Sequence, residues 1–460
     1  MMDILKFIVY QILSVYSILL GLVAMVGLIV LKRPVTKIIT GTLKTIIGVL
    51  IISGGAVVVE DALDPFGTML NHGLNIKGIL PTNEAVLPFA LKYFGSIGAL
   101  VMVGGFAINI LLARFTRYKF IYLTGHIMLY VSLFVTAILE SVAGLKGWAL
   151  FLAGAIIMGL YFTFMPALLF PYTNKITDGE KFTVGHTSDI ADWFSGWLGK
   201  YVGDPKKSAE KLKLPKWMNF FSDSTISMAV TMIPLYLIAV ITGGYGYVQN
   251  HISGTTNPIM YAIIEGLTFA AGVTVILSGV RMMLAEIIPA FSGISNKIVP
   301  GAIPALDCPT MFPYAPTSVI LGFVAMLIGM FLGMFAQFGF HATYIIIPGI
   351  VPAFFAGGTS GVFGNSTGGW KGAITGPFIM GIVLAIGTGW LMPSTGALAK
   401  TGSTFGDPFY ATAGLAFAKW VHLMTKSPII ALAILIVVIA ILIFFLIRRE
   451  KTHMVEYGKQ

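Results

Sequence analysis

The sequence predicts an all-α polytopic membrane protein of about eleven transmembrane helices, with re-entrant or broken segments among them. Three observations predict this. The 460 residues are 57% hydrophobic and only 10% charged, a balance foreign to soluble domains. Apolar runs of the ~20 residues needed to cross a bilayer recur along the whole chain. One stretch between two such runs, 292–309, carries Pro300, Pro304 and Pro309, Gly293 and Gly301, and the carboxylate of Asp307. Such a stretch is not a regular spanning helix. Non-helical backbone at membrane depth persists only where protein buries it or it lines a watery cavity, and a charge there marks a site.

Taken in order, the runs fall near 7–31, 41–59, 93–113, 120–140, 147–172, 224–244, 257–280, 317–339, 343–359, 373–392 and 427–447. The shorter ones, 343–359 above all, suit re-entrant segments. The first run has no small-residue cleavage site after it and is read as a retained span. Cationic residues cluster between runs: Lys32, Arg33 and Lys37; Arg114, Arg117 and Lys119; the polar segment 174–217; and Arg448, Arg449 and Lys451. With eleven alternating spans all four clusters fall on the cytoplasmic side, which places the amino terminus outside and the carboxyl terminus inside. Glu60, Asp61 and Asp64 then lie outside. The net charge of +10 is therefore a topology signal and does not point to nucleic acid. The chain reads as one membrane unit over 1–460, with a basic cytoplasmic loop at 174–217 and a cytoplasmic tail at 448–460. That loop reads first as a solvated segment obeying the positive-inside rule, and its lysines are compatible with a landing surface for a cytoplasmic partner.

A single cysteine, Cys308, excludes an intrachain disulfide and a multi-cysteine zinc site. No Walker loop, zinc-protease motif or nucleophile elbow is present, so no catalytic residue, metal or cofactor is expected. Candidate binding residues are those that interrupt apolar surroundings. His126, preceded by Gly125, sits in the fourth run; it either lines a cavity or bonds a carbonyl or serine. His186, also preceded by glycine, lies in the polar segment, either at a ligand or on a surface loop. Asp307 either grips hydroxyls of a ligand or pairs with a cation such as Arg281. Glu286 reads as a partner of Arg281. Glu265 interrupts the seventh run. Two stretches, 292–302 and 360–373, share a Ser-Gly start, an Asn, a Lys and a Gly-Ala close; paired interrupted segments of this kind mark transporter sites at the bilayer midplane.

Several stretches carry a family resemblance: LKRPVTKIITGTLKTIIG (31–48), LTGHIM (123–128), ITDGEKFTVGH (176–186), LKLPKWMNFF (212–221), GVRMMLAEIIPAFSGISNKIVPGAIPALDC (279–308), and IIIPGIVPAFF with GVFGNSTGGWKGA (345–373). On these the chain resembles enzyme IIC, the membrane permease subunit of the bacterial phosphotransferase system, in its ascorbate-specific branch. The resemblance implies eleven spans, divided into a substrate-holding core and a part that forms a homodimer, with an elevator-like motion between them. It implies a small carbohydrate-like substrate, phosphorylated on the cytoplasmic side by a separate phosphocysteine protein, enzyme IIB, which enzyme IIA charges. It places the family's site histidines on His126 and His186, its site aspartate on Asp307 and its backbone-contact alanine on Ala85. The ascorbate branch has a tyrosine where this chain has Glu84, and glutamines where it has Tyr130 and Thr187. With those contacts changed, the expected substrate is ascorbate or another sugar, sugar acid or polyol. The competing expectation is an ion-coupled secondary transporter of a small polar solute, with Glu265 and Asp307 as coupling residues.

Overall fold

The computed structural model describes residues 15–75, 78–81, 83–211, 224–400 and 403–427, and residues 7, 11 and 12. The expected span at 427–447 and the tail at 448–460 lie outside the described residues. The protein is mostly helical. Helix α1 is Tyr16–Val30, α2 Val35–Gly73, α3 Asn83–Phe115, α4 Gly125–Ala143, α5 Gly147–Ile176 and α6 Asp189–Val202. Then come α7 Ser224–Gly243, α8 Tyr245–His251, α9 Pro258–Lys297, α10 Pro316–Gly339, α11 Ile350–Leu391 and α12 Leu415–Lys426. Among the described residues seven helices are long and apolar enough to cross a membrane, or eight if α7 and α8, bent 98° apart, form one span. It is a multi-pass membrane protein.

The all-α expectation needs one correction. Among the described residues there are five short strands: β1 Leu80–Pro81, β2 Phe120–Tyr122, β3 Thr183–Val184, β4 Ile303–Leu306 and β5 Ser403–Thr404. They form two parallel sheets, β2-β4-β3 and β1-β5. The reason is hydrogen bonding. Extended backbone inside a bundle has no water to pair with, so the segments pair with one another. This also moves the start of the fourth span. The run 120–140 is strand at Phe120–Tyr122 and helix only from Gly125.

The stretch around Asp307 divides in two. Its first part, through Lys297, is still the end of α9. The break begins at Ile298, turns at Gly301 (φ 77°) and enters β4. Helices α1, α2 and α9 pack through small residues, Gly27 against Ala290 and Gly48 against Met283, as expected where lipid supplies no hydrophobic drive and close van der Waals contact must hold helices together. Across the α2–α9 pair Glu286 lies 3.4 Å from Lys37 and 3.5 Å from Lys44. These lysines, and not Arg281, are its partners.

The runs 343–359 and 373–392 belong to one element, α11, broken at Gly369 (φ 60°, ψ −154°). Gly364 and Gly372 lie backbone to backbone across the break. Eight residues along a straight helix are about 12 Å apart, so α11 is a helical hairpin with arms 350–368 and 370–391. Helix α6 lies along it: the Asp192 carboxylate accepts from Ser360 Oγ at 2.9 Å, Gly199 abuts Gly364 and Thr367, and Gly203 abuts Gly368. The two stretches 292–302 and 360–373 are therefore not equivalent; one ends a helix before a strand, the other is the tip of a hairpin.

The loop after α6 is pinned to this tip rather than standing free. Asn365 Oδ1 accepts from Ala209 N (2.8 Å), and Lys175 Nζ donates to Ser366 O (2.7 Å). Glu210 accepts from Ser318 N (2.8 Å), Ser318 Oγ (2.9 Å) and Thr317 N (3.1 Å). A carboxylate here satisfies the free amides and the positive dipole end of α10. Glu210→Ala is expected to lower stability by about 1 kcal/mol, read as a fall in unfolding temperature that Glu210→Asp partly restores; no change would refute the capping role.

Candidate functional site

The three-stranded sheet delivers the site. Each strand is followed at its carboxyl end by one predicted residue: Tyr122 by His126 four residues on, Val184 by His186 two residues on, and Leu306 by Asp307 directly. Parallel pairing of β2 and β3 on either side of β4 brings the ends together. The ladder continues past the strands, with Leu123 N donating to Ala305 O (3.0 Å) and Gly185 N to Leu306 O (2.7 Å). Residues 126, 186 and 307, far apart in sequence, therefore converge.

His126 Nε2 lies 3.5 Å from Asp307 Oδ2, an ion-pair distance longer than a good hydrogen bond. The other oxygen, Oδ1, accepts from Cys308 N at 2.8 Å, which fixes the carboxyl's orientation. Asp307 is 9% exposed and His186 7%, while the His126 side chain keeps 35% and forms the open side of the cluster. His186 Nδ1 accepts from Ser188 N at 3.0 Å. The neutral ring then carries its hydrogen on Nε2, which is a donor. The nearest donor atoms of His186, Asp307 and Cys308 lie within 4.8 Å of one another.

Tyr130 and Thr187 join the cluster. The Tyr130 ring meets His126 edge-on at 5.8 Å. Thr187 is buried and donates to Asp407 Oδ2 at 2.5 Å, which fixes the loop that carries His186 and leaves its hydroxyl oxygen as an acceptor. Glu84 and Ala85 lie in the first turn of α3, and their side chains lie outside the described residues. Glu265 sits beside Tyr261 and Asp61; Arg281 makes no contact with Asp307 among the described residues.

Three contributors escaped the sequence reading. Tyr16, at the start of α1, places its hydroxyl 3.4 Å from Asp307 N and its ring edge-on to His126 at 5.8 Å. A tyrosine opening an apolar run carries the same signal as an interface anchor. Asn83 and Asp407 follow the strands of the second sheet. Asn83 Nδ2 donates to Asp407 Oδ2 at 2.6 Å, and Asn83 Oδ1 accepts from Gly406 N at 3.1 Å. Phe409 N donates to Thr187 O at 2.9 Å. Asp407 is 3% exposed, and hydrogen bonds from two neutral donors meet the need of its buried carboxylate. It couples the turn bearing Glu84 and Ala85 to the loop bearing His186. Its sequence signal was a carboxylate in a Gly-Asp-Pro loop between apolar runs, the same signal that marked Asp307.

Behind His186, Asp192 accepts from Ser188 Oγ (2.6 Å) and from Ser360 Oγ, tying the loop to the hairpin. The arrangement is a buried, pre-oriented set of donors and acceptors with one imidazole reaching the opening. It suits a small solute rich in hydroxyls.

The comparisons agree with this chemistry. A family model described as the sugar-specific permease component of the PTS system matches residues 11–408. The chain is similar to a Mycoplasma pneumoniae protein described as the ascorbate-specific PTS system EIIC component, 29% identical over 425 residues, covering 80% of this chain. The alignment covers 63% of that relative, so the chain spans less than two thirds of its length.

Proposed function

The chain belongs to the sugar-specific permease components of the phosphotransferase system, and from that premise we propose that it carries L-ascorbate, or a related sugar, sugar acid or polyol, across the membrane for phosphorylation by a separate enzyme IIB charged by enzyme IIA. The observation that carries the reading is the convergence of His126, His186 and Asp307 at the ends of three parallel strands. Asp307 Oδ2 accepts from substrate hydroxyls, His186 Nε2–H donates to a substrate oxygen, and His126 closes the open side. Tyr130 borders the cluster, Thr187 holds the loop through Asp407, and the resemblance assigns Glu84 and Ala85 to the same substrate.

The depth of the site supports carriage. Helix α6 has 14 residues, about 21 Å of helix, between the His186 loop and the hairpin tip. Lys175, in the last turn of the spanning helix α5, bonds that tip, which supports a tip at the membrane surface. This supports a site well inside a hydrocarbon layer ~30 Å thick. The surface beside the tip carries Lys200, Lys206, Lys207 and Lys211, which supports a cytoplasmic assignment under the positive-inside rule. The amino terminus then lies outside and the carboxyl terminus inside.

We count eleven spans: the eight described, α1, the second arm of α11, and 427–447. The resemblance supports a substrate-holding core that moves against a second part, which forms a homodimer. The test is binding by the purified full-length protein of ascorbate against a panel of sugars, sugar acids and polyols, with uptake into vesicles run with and without phosphoenolpyruvate and the partner enzymes. Ascorbate binding with phosphoenolpyruvate-dependent uptake is expected. Uptake that follows an ion gradient instead would overturn the reading, and binding of a different polyol would replace ascorbate alone.

A further inference from the structure

A second cavity lies at the far end of α6, about 21 Å along that helix from the His186 loop. An open cavity of about 280 Å³ is lined there by Tyr201, Val202, Gly203, Asp204, Lys207, Gly368, Trp370 and Lys371. Its floor is the hairpin tip, where the Gly369 backbone packs against the carbonyls of Asp204 and Lys207. Two ammonium groups, of Lys207 and Lys371, line it. Among the described residues neither has an ion-pair partner, and Lys371 lies 5.9 Å from the Trp370 ring centre. The single carboxylate of the lining, Asp204, accepts from Lys206 N at 2.9 Å. The lining therefore keeps a net positive charge, and the second arm of α11 begins at the cavity, adding its positive dipole end.

The surroundings say what kind of anion fits. Trp193, Trp197 and Tyr201 fall on one stripe of α6 at intervals of four residues, their rings in sequence at 6.3 and 5.2 Å. Tyr201 is 72% exposed, Trp197 39% and Trp370 36%. Exposed Trp and Tyr beside lysines, at the level where α5 ends, are the composition of the headgroup layer. A soluble phosphate would use the lysines but not this aromatic approach.

We propose that this cavity binds the phosphodiester headgroup of an anionic phospholipid, with Lys207 and Lys371 on the phosphate and Tyr201, Trp370 and the α6 stripe along the glycerol and upper acyl chains. Bound there, the lipid bridges the α6 end, the pinned 204–211 loop and the hairpin tip. The inference does not depend on which solute is carried.

The test titrates full-length protein, in neutral detergent micelles, with short-chain phosphatidylglycerol and phosphatidylcholine, reading bound lipid by native mass spectrometry, with inorganic phosphate as competitor. Phosphatidylglycerol is expected to bind on the order of tenfold tighter than phosphatidylcholine. The preference disappears in Lys207→Ala/Lys371→Ala and persists in Lys200→Ala/Lys206→Ala, which removes equal charge outside the cavity. Lys207→Gln/Lys371→Gln serves if the alanine pair does not fold. Persistence of the preference in the cavity variant would overturn the site. An equal loss in both pairs would reduce it to diffuse surface attraction. Displacement of the lipid by millimolar phosphate would reassign the cavity to a free anion. Capture of an acidic cytoplasmic protein through the same two lysines, without lipid preference, would reassign it to a protein partner.

Discussion

Asp307→Asn is expected to weaken binding of the carried solute by about 10- to 100-fold, the effect of losing a charge-assisted hydrogen bond worth ~1.5–3 kcal/mol, while leaving the fold unchanged. The separation of these effects follows from the two carboxyl oxygens. Oδ1 accepts from Cys308 N, a bond the asparagine carbonyl reproduces. Oδ2 faces His126 Nε2 at 3.5 Å, and there the substitution puts an NH2 group, a donor where the solute's hydroxyls need an acceptor. Isothermal titration with ascorbate, beside thermal unfolding of the same preparation, checks both halves. Unchanged affinity would remove Asp307 from the site. A collapse of stability together with affinity would make it a structural residue instead.

Gly372→Val is expected to destabilise the protein by about 3 kcal/mol or more and to abolish solute binding with it. A Cβ at Gly372 meets the carbonyl of Gly364 on the facing arm, and one at Gly364 meets that of Gly372. Backbone cannot step aside as a side-chain end does, so the arms must part. The damage reaches the site because the first arm carries Ser360, which holds Asp192, whose other oxygen holds Ser188 beside His186. Gly246→Ala is the control. A Cβ there meets nothing, and replacing a helical glycine is expected to be neutral or to add ~0.5–1 kcal/mol. Unfolding temperatures of the two variants should move apart. A Gly372→Val protein as stable as the parent would exclude the tight hairpin.

Asp407 extends the argument from pairs to the whole site. Sequence reasoning reached His126 and Asp307 because each is polar beside apolar runs, where desolvation makes such residues expensive; His186, in the polar segment, was reached through its Gly-His pair and the family resemblance. The same logic applied to Asp407 and Asn83 would have flagged them. They fell between runs, where a polar residue reads as loop. Tyr16 had no distinguishing signal at all, since its role arises only from the packing of α1 against the loop that carries Asp307. Thr187, named from a matched position, has a structural partner the sequence did not suggest, the carboxylate of Asp407.

What the sequence by itself determined was the membrane class, most of the spanning helices, the broken stretches and the candidate residues His126 and Asp307. Those follow from local composition: apolar length sets spans, and prolines, glycines and charges within apolar surroundings mark where a span fails. Tertiary structure alone decided that the breaks become parallel strands, that 343–359 and 373–392 close into one hairpin, and that the basic loop is fastened to its tip. The physical reason is that strand pairing across 120–122, 183–184 and 303–306, and backbone contact between Gly364 and Gly372, satisfy hydrogen bonds and close packing between segments whose partners no local pattern names.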